Sequence, residues 1–241
     1  MNLVIDIGNT QTKVAIFDHD KLIKQWKDDR SRPFRPTGVQ IKEYSHFILS
    51  TVTENSQVEL HTTKEKTPDI RLNYTTPLPI KNKYKTPKTL GNDRLANAVG
   101  ATVIFPQKNV LVIDLGTCIK YDFIDKNKNY FGGAISPGLQ MRFSALNHFT
   151  AKLPLIKSSK KFTLTGNSTE QSILSGVQNG MILEVNGMIE QYKKKYKDLK
   201  VILTGGDAPF FADLLKSSIF AAPNLTLQGL NEILNYNVSK K

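Results

Sequence analysis

The chain has 241 residues, 39% hydrophobic and 22% charged, with a formal net charge of +12 and one cysteine, Cys118. That balance describes a globular protein with enough length for one large or two small domains. A single cysteine excludes an intrachain disulfide, and no apolar run approaches the roughly 18 residues that a membrane-spanning helix needs. The N-terminus lacks a basic leader and Asp6 interrupts its short apolar stretch, so no signal peptide and no membrane partner are expected, and the expected compartment is the cytoplasm. The positive charge raises the question of nucleic acid. The lysines are scattered, however, and the densest cluster, Tyr192–Lys197, closes a helical stretch where cations suit the dipole and solvent. A solvated surface is therefore expected rather than a nucleic-acid partner.

In chain order, residues 1–18 read as a β-hairpin: apolar Leu3-Val4-Ile5, a turn through Gly8-Asn9-Thr10, then Val14 to Phe17. The least regular stretch is Thr62–Lys88, where four prolines among many lysines predict short strands and loops. "GNDRLANAVGATVIF" puts Leu95, Ala98, Val99 and Thr102 on one helical face, with Asn92 or Asp93 as the expected N-cap. Residues 110–125 then repeat the first hairpin: Val110 to Ile113, a turn at Gly116-Thr117, and a second strand ending in Phe123-Ile124-Asp125. Lys13 and Lys120 align if one turn residue is dropped, and Asp18 and Asp125 close the two copies.

"STEQSILSGVQNGMILEVNGMIEQY" predicts a long helix opened by a Ser168/Gln171 capping-box pattern. Its Gly176 and Gly180 lie one turn apart, and helix-interior glycines cost about 1 kcal/mol each against alanine, so close packing on that face is expected. "KVILTGG" reads as a strand running into a Gly pair and a further helix, "APFFADLLK". Hairpins alternating with helices, twice over, predict an α/β fold of two similar halves, divided here as 1–108 and 109–241.

A strand ending in Asp-x-Gly and a hydroxyl places a carboxylate at a strand tip. Glycine lets a ligand approach, and turn N–H groups with the Thr10 hydroxyl are donors for phosphate oxygens. The adjacent Asp6 suits hydrated Mg²⁺, which takes one or two carboxylates plus phosphates. One such hairpin is an ordinary turn; two copies and a strand ending in Thr-Gly-Gly form a more specific pattern. There is no Gly-x₄-Gly-Lys-Ser/Thr loop and no Gly-x-Gly-x-x-Gly. The four histidines lack metal-ligand spacing and no serine sits in a nucleophile elbow.

"DIGNTQTK", "DLGT" and "LTGG" resemble the two phosphate motifs and the adenosine motif of the acetate/sugar kinase, Hsp70 and actin superfamily. Together with "KYKTPKTLGNDRLANAVGA", "DLGTCIKYDFID", "GGAISPGLQMRFSALNHFTAKLP" and "GNSTEQSILSGVQNG", nearly the whole chain is similar, in order, to type III pantothenate kinase. The resemblance implies two ribonuclease-H-like (actin-like ATPase) domains with an ATP cleft between them. It implies ATP-dependent phosphorylation of pantothenate to 4′-phosphopantothenate, the first step toward coenzyme A, by a homodimer.

By that resemblance Asp93 is the catalytic base, a role compatible with a helix N-cap. In a loose phosphoryl-transfer transition state, orienting the hydroxyl counts as much as basicity. Asp6, Gly8, Asn9, Thr10, Lys13 and Thr117 would hold the ATP phosphates and Mg²⁺, with Mg²⁺ bound through water at Asp6. Gly205 and Gly206 would line the adenosine. Tyr84, Gly91, Asn92, Arg94 and Thr169 would contact pantothenate, whose carboxylate a guanidinium fork can grip. Asp114 would bind a monovalent cation, K⁺ or NH₄⁺.

The chain departs from the family at Cys118 and Lys120, where relatives carry Ala and Thr. Cys118 reads as a packed thiol. Lys120 either takes over part of the role of K⁺ or points to solvent. Two other functions remain open from sequence: a regulatory or nucleic-acid-binding protein that kept the fold, and a kinase of the same fold with a different hydroxyl acceptor.

Overall fold

Strand β1 (Asn2–Ile7) is buried at every position, the mark of a strand flanked and covered on both faces. The computed structural model, which describes residues 1–29, 44–51, 68–215 and 218–239, places it at the centre of a five-stranded sheet. β2 (Gln11–Asp18) and β3 (Lys21–Asp29) follow as an antiparallel meander, while β4 (His46–Thr51) and the short β5 (Ile70–Arg71) add in parallel on the other side. The order is β3-β2-β1-β4-β5. Leu3, Ile5, Val14, Ile16, Phe47 and Leu49 form one core cluster of this sheet.

The chain divides into two compact units. The first holds Met1–Gln107, Ile124–Phe131 and the stretch from Asn224; the second holds Lys108–Phe123 and Gly132–Pro223. In the first unit, the paired strand β6 (Lys81–Asn82) precedes helix α1 (Asn92–Ile104), which packs on the last helix, α6 (Leu225–Val238). The two backbones touch. A Cβ on Gly229 would stand 1.8 Å from the Ala96 carbonyl oxygen, and one on Gly100 would stand 2.7 Å from that of Leu225. At the same crossing the Thr226 hydroxyl donates to Asn97 Oδ1 at 2.8 Å. The Asn2 amide donates to Asn231 and Asn235, tying β1 to α6.

The second unit repeats the first sheet. β7 (Val110–Leu115), β8 (Cys118–Ile124) and β9 (Asn129–Pro137) are the meander, and β10 (Lys200–Thr204) and β11 (Phe220–Ala221) lie parallel beyond β7. This sheet has six strands, β6-β9-β8-β7-β10-β11, and apart from β6 at its edge the order matches that of the first sheet. β6 pairs with the Asn129–Tyr130 start of β9, within the first unit. Helix α2 (Leu139–His148) follows the sheet strand β9. The long predicted helix is α3 (Thr169–Leu174), a π turn (Ser175–Asn179) and α4 (Gly180–Lys195) in succession. Ser168 caps it, its Oγ accepting from Gln171 N at 3.2 Å.

Three local expectations change. The N-cap of α1 is Gly91 rather than Asn92 or Asp93, because the Asn92 amide is drawn to the carbonyls of Thr51 and Leu72. A Cβ on Gly176 or Gly180 would meet nothing within 4 Å, so internal packing among the described residues does not explain these glycines. The predicted "APFFADLLK" helix is only α5 (Ala208–Phe211): beyond it Leu214 N bonds to Phe211 O in a tighter turn that buries Leu215. Lys216, the end of that predicted run, lies outside the described residues.

Candidate active site

In the first unit, the β1–β2 turn and the end of β4 meet at Asp6. Lys13 is its partner across the antiparallel ladder and Ser50 across the parallel one. The Ser50 hydroxyl donates to Asp6 Oδ1 at 2.9 Å, and both residues are buried. A buried carboxylate needs such a donor, and this bond fixes which way the carboxylate faces. Gly8 N donates to Gln11 O at 3.0 Å, leaving Asn9 and Thr10 as the exposed tip of the turn. Gly8 is not in the left-handed region; what it provides is room, since a Cβ would lie 3.3 Å from the Gln11 carbonyl oxygen.

The second cluster of this unit is the start of α1. The Asp93 carboxylate folds back over residue 91, where a Cβ would stand 2.5 Å from Oδ1, so Gly91 is what permits this rotamer. Asp93 Oδ1 accepts from Arg94 N at 2.9 Å, at the end of the helix where the dipole favours an anion. Arg94 is buried, with its guanidinium carbon 5.5 Å from the centre of the Tyr84 ring. Tyr84 in turn stacks on Tyr130. Asn92 Nδ2 donates to Leu72 O at 2.9 Å and to Thr51 O at 3.3 Å. It therefore ties the helix start to Thr51, the residue beside Ser50.

In the second unit, Asp114 ends β7 much as Asp6 ends β1. Its parallel-ladder partner is Thr204, the counterpart of Ser50. Lys120 does not point to solvent: its Nζ lies 2.7 Å from Asp114 Oδ2, and the two side chains are 18% and 11% exposed. Gly116 N donates to Cys118 O at 3.2 Å, and Thr117 is the exposed tip of this turn. The Cys118 sulfur packs 3.8 Å from that of Met141.

Gly205 and Gly206 differ sharply. Gly205 has φ +99°, and a Cβ there would stand 2.3 Å from Leu115 O and 2.6 Å from Asp114 Oδ1; around Gly206 there is open space. Thr169 is the exposed first residue of α3 and is not among the residues gathered at the Asp114 turn. Burial pushes the Asp207 carboxyl, just past the Gly pair, above the usual carboxylate range. Ser50 escaped the sequence reading, and Thr204 entered it only as part of the Thr-Gly-Gly strand end. Their signal is there in hindsight, as "ILST" and "ILTG" repeat in the two halves just as the hairpins do.

Among the described residues no group of three or more His, Cys, Asp or Glu could hold a metal ion alone. A single carboxylate such as Asp6 suits Mg²⁺ brought in on a nucleotide, which keeps its waters and phosphates as the other ligands. Asp114 does not fit a metal monocation so well, because an ammonium already lies against one of its oxygens.

A family profile described as type III pantothenate kinase matches residues 2–191. A type III pantothenate kinase of Cytophaga hutchinsonii is 47% identical over 239 residues, covering 99% of this chain and 100% of that one. A solved structure described as a conserved Baf-family transcriptional activator from Campylobacter jejuni aligns with a TM-score of 0.64 at 22% identity, over 98% of this chain and 99% of that one. Lmo2764 of Listeria monocytogenes, described as an N-acetylmannosamine kinase, aligns with a TM-score of 0.54 at 12% identity, over 99% of both chains. At these identities the two structures speak to fold alone. The fold is α/β, with two mixed sheets, and it is shared with these two structures.

Proposed function

The chain belongs to the type III pantothenate kinase family, and from that premise we propose how its residues divide the reaction. The activity is ATP-dependent phosphorylation of pantothenate in coenzyme A biosynthesis. Asp93 orients the pantothenate hydroxyl and takes its proton. The hydroxyl oxygen forms a bond to the γ-phosphorus of MgATP as the bond from that phosphorus to the β,γ-bridging oxygen breaks, yielding 4′-phosphopantothenate and ADP. The observation that carries this assignment is the Asp93 carboxylate held over Gly91 at the head of α1, next to buried Arg94. Arg94, steadied by Tyr84, grips the substrate carboxylate, with Gly91 and Thr169 as further substrate contacts. Asn92 acts on the same site through the backbone carbonyls it holds.

In the first unit, Asp6, Gly8, Asn9, Thr10 and Lys13 bind the phosphates of MgATP, with Asp6 reaching Mg²⁺ through water. Mg²⁺ supplies charge neutralisation on those phosphates. In the second unit, Thr117 binds phosphate and Gly205-Gly206 face the adenosine.

A homodimer is supported by the open face over Gly176, Gly180 and Gly187, and by the exposed apolar side chains of Phe149, Leu164 and Leu183 in the same unit. No helix among the described residues is long and apolar enough to cross a membrane. A cytoplasmic site rests on the single thiol of Cys118.

The test is ADP release from MgATP with pantothenate and a panel of other hydroxyl acceptors. Pantothenate is expected to be the preferred acceptor, and Asp93→Asn to lose about 10²–10⁴ in kcat. No turnover with pantothenate would overturn the function; full turnover by Asp93→Asn would overturn the mechanism alone.

A further inference from the structure

The two turns are alike in backbone, and in the second an ammonium lies directly against the carboxylate. In both, an Asp ends the first strand, a hydroxyl residue sits beside it in the parallel register, and a Lys stands on the second strand. In the first unit an Asp6 oxygen accepts a neutral Ser50 hydroxyl. In the second, an Asp114 oxygen takes the Lys120 ammonium at 2.7 Å, the distance of a charge-assisted hydrogen bond. Both side chains are largely withdrawn from water, so the pair is weakly screened and its geometry is held. The other Asp114 oxygen is wedged where a Cβ on Gly205 would lie 2.6 Å away and one on Gly116 would lie 3.6 Å away. The carboxylate is therefore immobilised between two glycines and an ammonium, one residue pair from the Thr117 tip. A metal ion placed on the same carboxylate would lie close to Lys120 Nζ, and like charges at that range repel. An ammonium with three N–H donors provides what a bound monocation would: one positive charge and contacts to several oxygens.

We propose that the Lys120 ammonium is the resident monovalent cation of this site. It positions Asp114 and supplies the positive charge at the Gly116–Thr117 turn, so MgATP binds and reacts without added K⁺ or NH₄⁺. The proposal rests on the kinase reading above for its turnover arm only.

The experiment compares wild type with Lys120→Thr, which keeps Asp114 and leaves room for an ion. Each is measured in choline chloride, KCl and NH₄Cl at equal ionic strength. Three quantities are read: the Kd for MgATP by calorimetry, the Tm, and turnover with pantothenate.

Wild type is expected to vary less than about twofold among the salts in Kd and turnover, with no K⁺-specific rise in Tm. Lys120→Thr is expected to lose at least about tenfold in MgATP affinity and turnover in choline chloride. KCl or NH₄Cl should return most of that loss and raise the variant's Tm, a rescue that a merely structural lysine would not show. A wild type that gains tenfold or more from K⁺ would overturn the proposal. So would a variant unimpaired in choline chloride, or one impaired equally in every salt. If the variant does not fold, the wild-type comparison decides: independence of K⁺ upholds the proposal and dependence overturns it. If pantothenate is not phosphorylated in any salt, the kinase reading fails, while the Kd and Tm measurements still decide the role of Lys120.

Discussion

Adjacent glycines at the end of β10 should respond oppositely to the same substitution. Gly205→Ala forces a side chain into φ +99°, a strain of about 1–3 kcal/mol. The new Cβ would also sit 2.3 Å from the Leu115 carbonyl oxygen, where ordinary contact begins near 3.4 Å, so two backbone segments must part. Overpacking of that kind costs a further 1–3 kcal/mol or so. A combined loss of about 2–6 kcal/mol lowers Tm by roughly 4–24 °C in a chain of this length. The displacement falls on the site itself, because Leu115 O accepts from Asp207 N at 2.9 Å and Asp114 Oδ1 is the third atom in the way. Turnover per bound MgATP should therefore fall about tenfold or more.

Gly206→Ala meets open space and no such backbone strain, so its Tm should stay within about 1–2 °C of wild type. If residue 206 faces the adenosine, that variant raises KM for MgATP while leaving Tm alone. Thermal melts and steady-state kinetics on the two variants suffice. A Gly205→Ala protein melting within 2 °C of wild type with unchanged turnover, taking that window as about the noise of a surface substitution, would refute the reasoning.

Two further outcomes follow from packing and charge. Gly229→Ala should destabilise by about 2 kcal/mol, since the clash with Ala96 O costs about 3 kcal/mol and outweighs the roughly 1 kcal/mol gained in helix propensity; denaturant melts check this. The Asp207 carboxyl is raised by burial, so the folded state keeps this proton at pH values where the unfolded chain, titrating near about 4, has lost it. The cost of the buried charge is fully present at neutral pH and disappears as pH falls through the folded-state pKa toward the unfolded one. Asp207→Asn should thus raise Tm relative to wild type at pH ~7, with the gain shrinking on acidification. An equal offset at both ends of that range, in melts across the pH series, would contradict it.

Much of the fold was legible because its signals are local. Strand runs with Gly turns marked both hairpins, and the Ser168 cap marked the long helix before any contact was known. Their repetition, more than either copy alone, pointed to two like sheets. What escaped depends on distant parts of the chain. Asn92 and Asp93 are as good capping residues as Gly91, and only the carbonyls of Thr51 and Leu72 decide among them. Ser50 and Thr204 enter the site through strand register, which no single strand encodes. Helix α6 was not predicted at all, because Gly229 and four asparagines from Asn224 to Asn237 interrupt its apolar pattern. Those same residues serve its contact with α1 and its bonds to β1. Lys120 was left between two readings, and its contact with Asp114 separates them.

The π turn at Ser175–Asn179 makes the length of this helix informative. Upstream of it Ile173 and Leu174, and downstream Met181, Val185 and Ile189, all enter one core. A π turn carries one residue more than an α turn, so it acts as a phase adjustment between the two stretches. Deleting one residue from it would let the segment close as a regular α-helix, the lost residue and the lost underwinding offsetting each other. Met181, Val185 and Ile189 would keep facing the core, and Glu184 the Tyr121 hydroxyl and Arg142 that it bonds. A one-residue deletion within α4 before Val185 has no such slack and would turn everything beyond it by about 100°. The π turn is thus the one stretch of this helix where a residue can be lost without shifting the face it presents to the core.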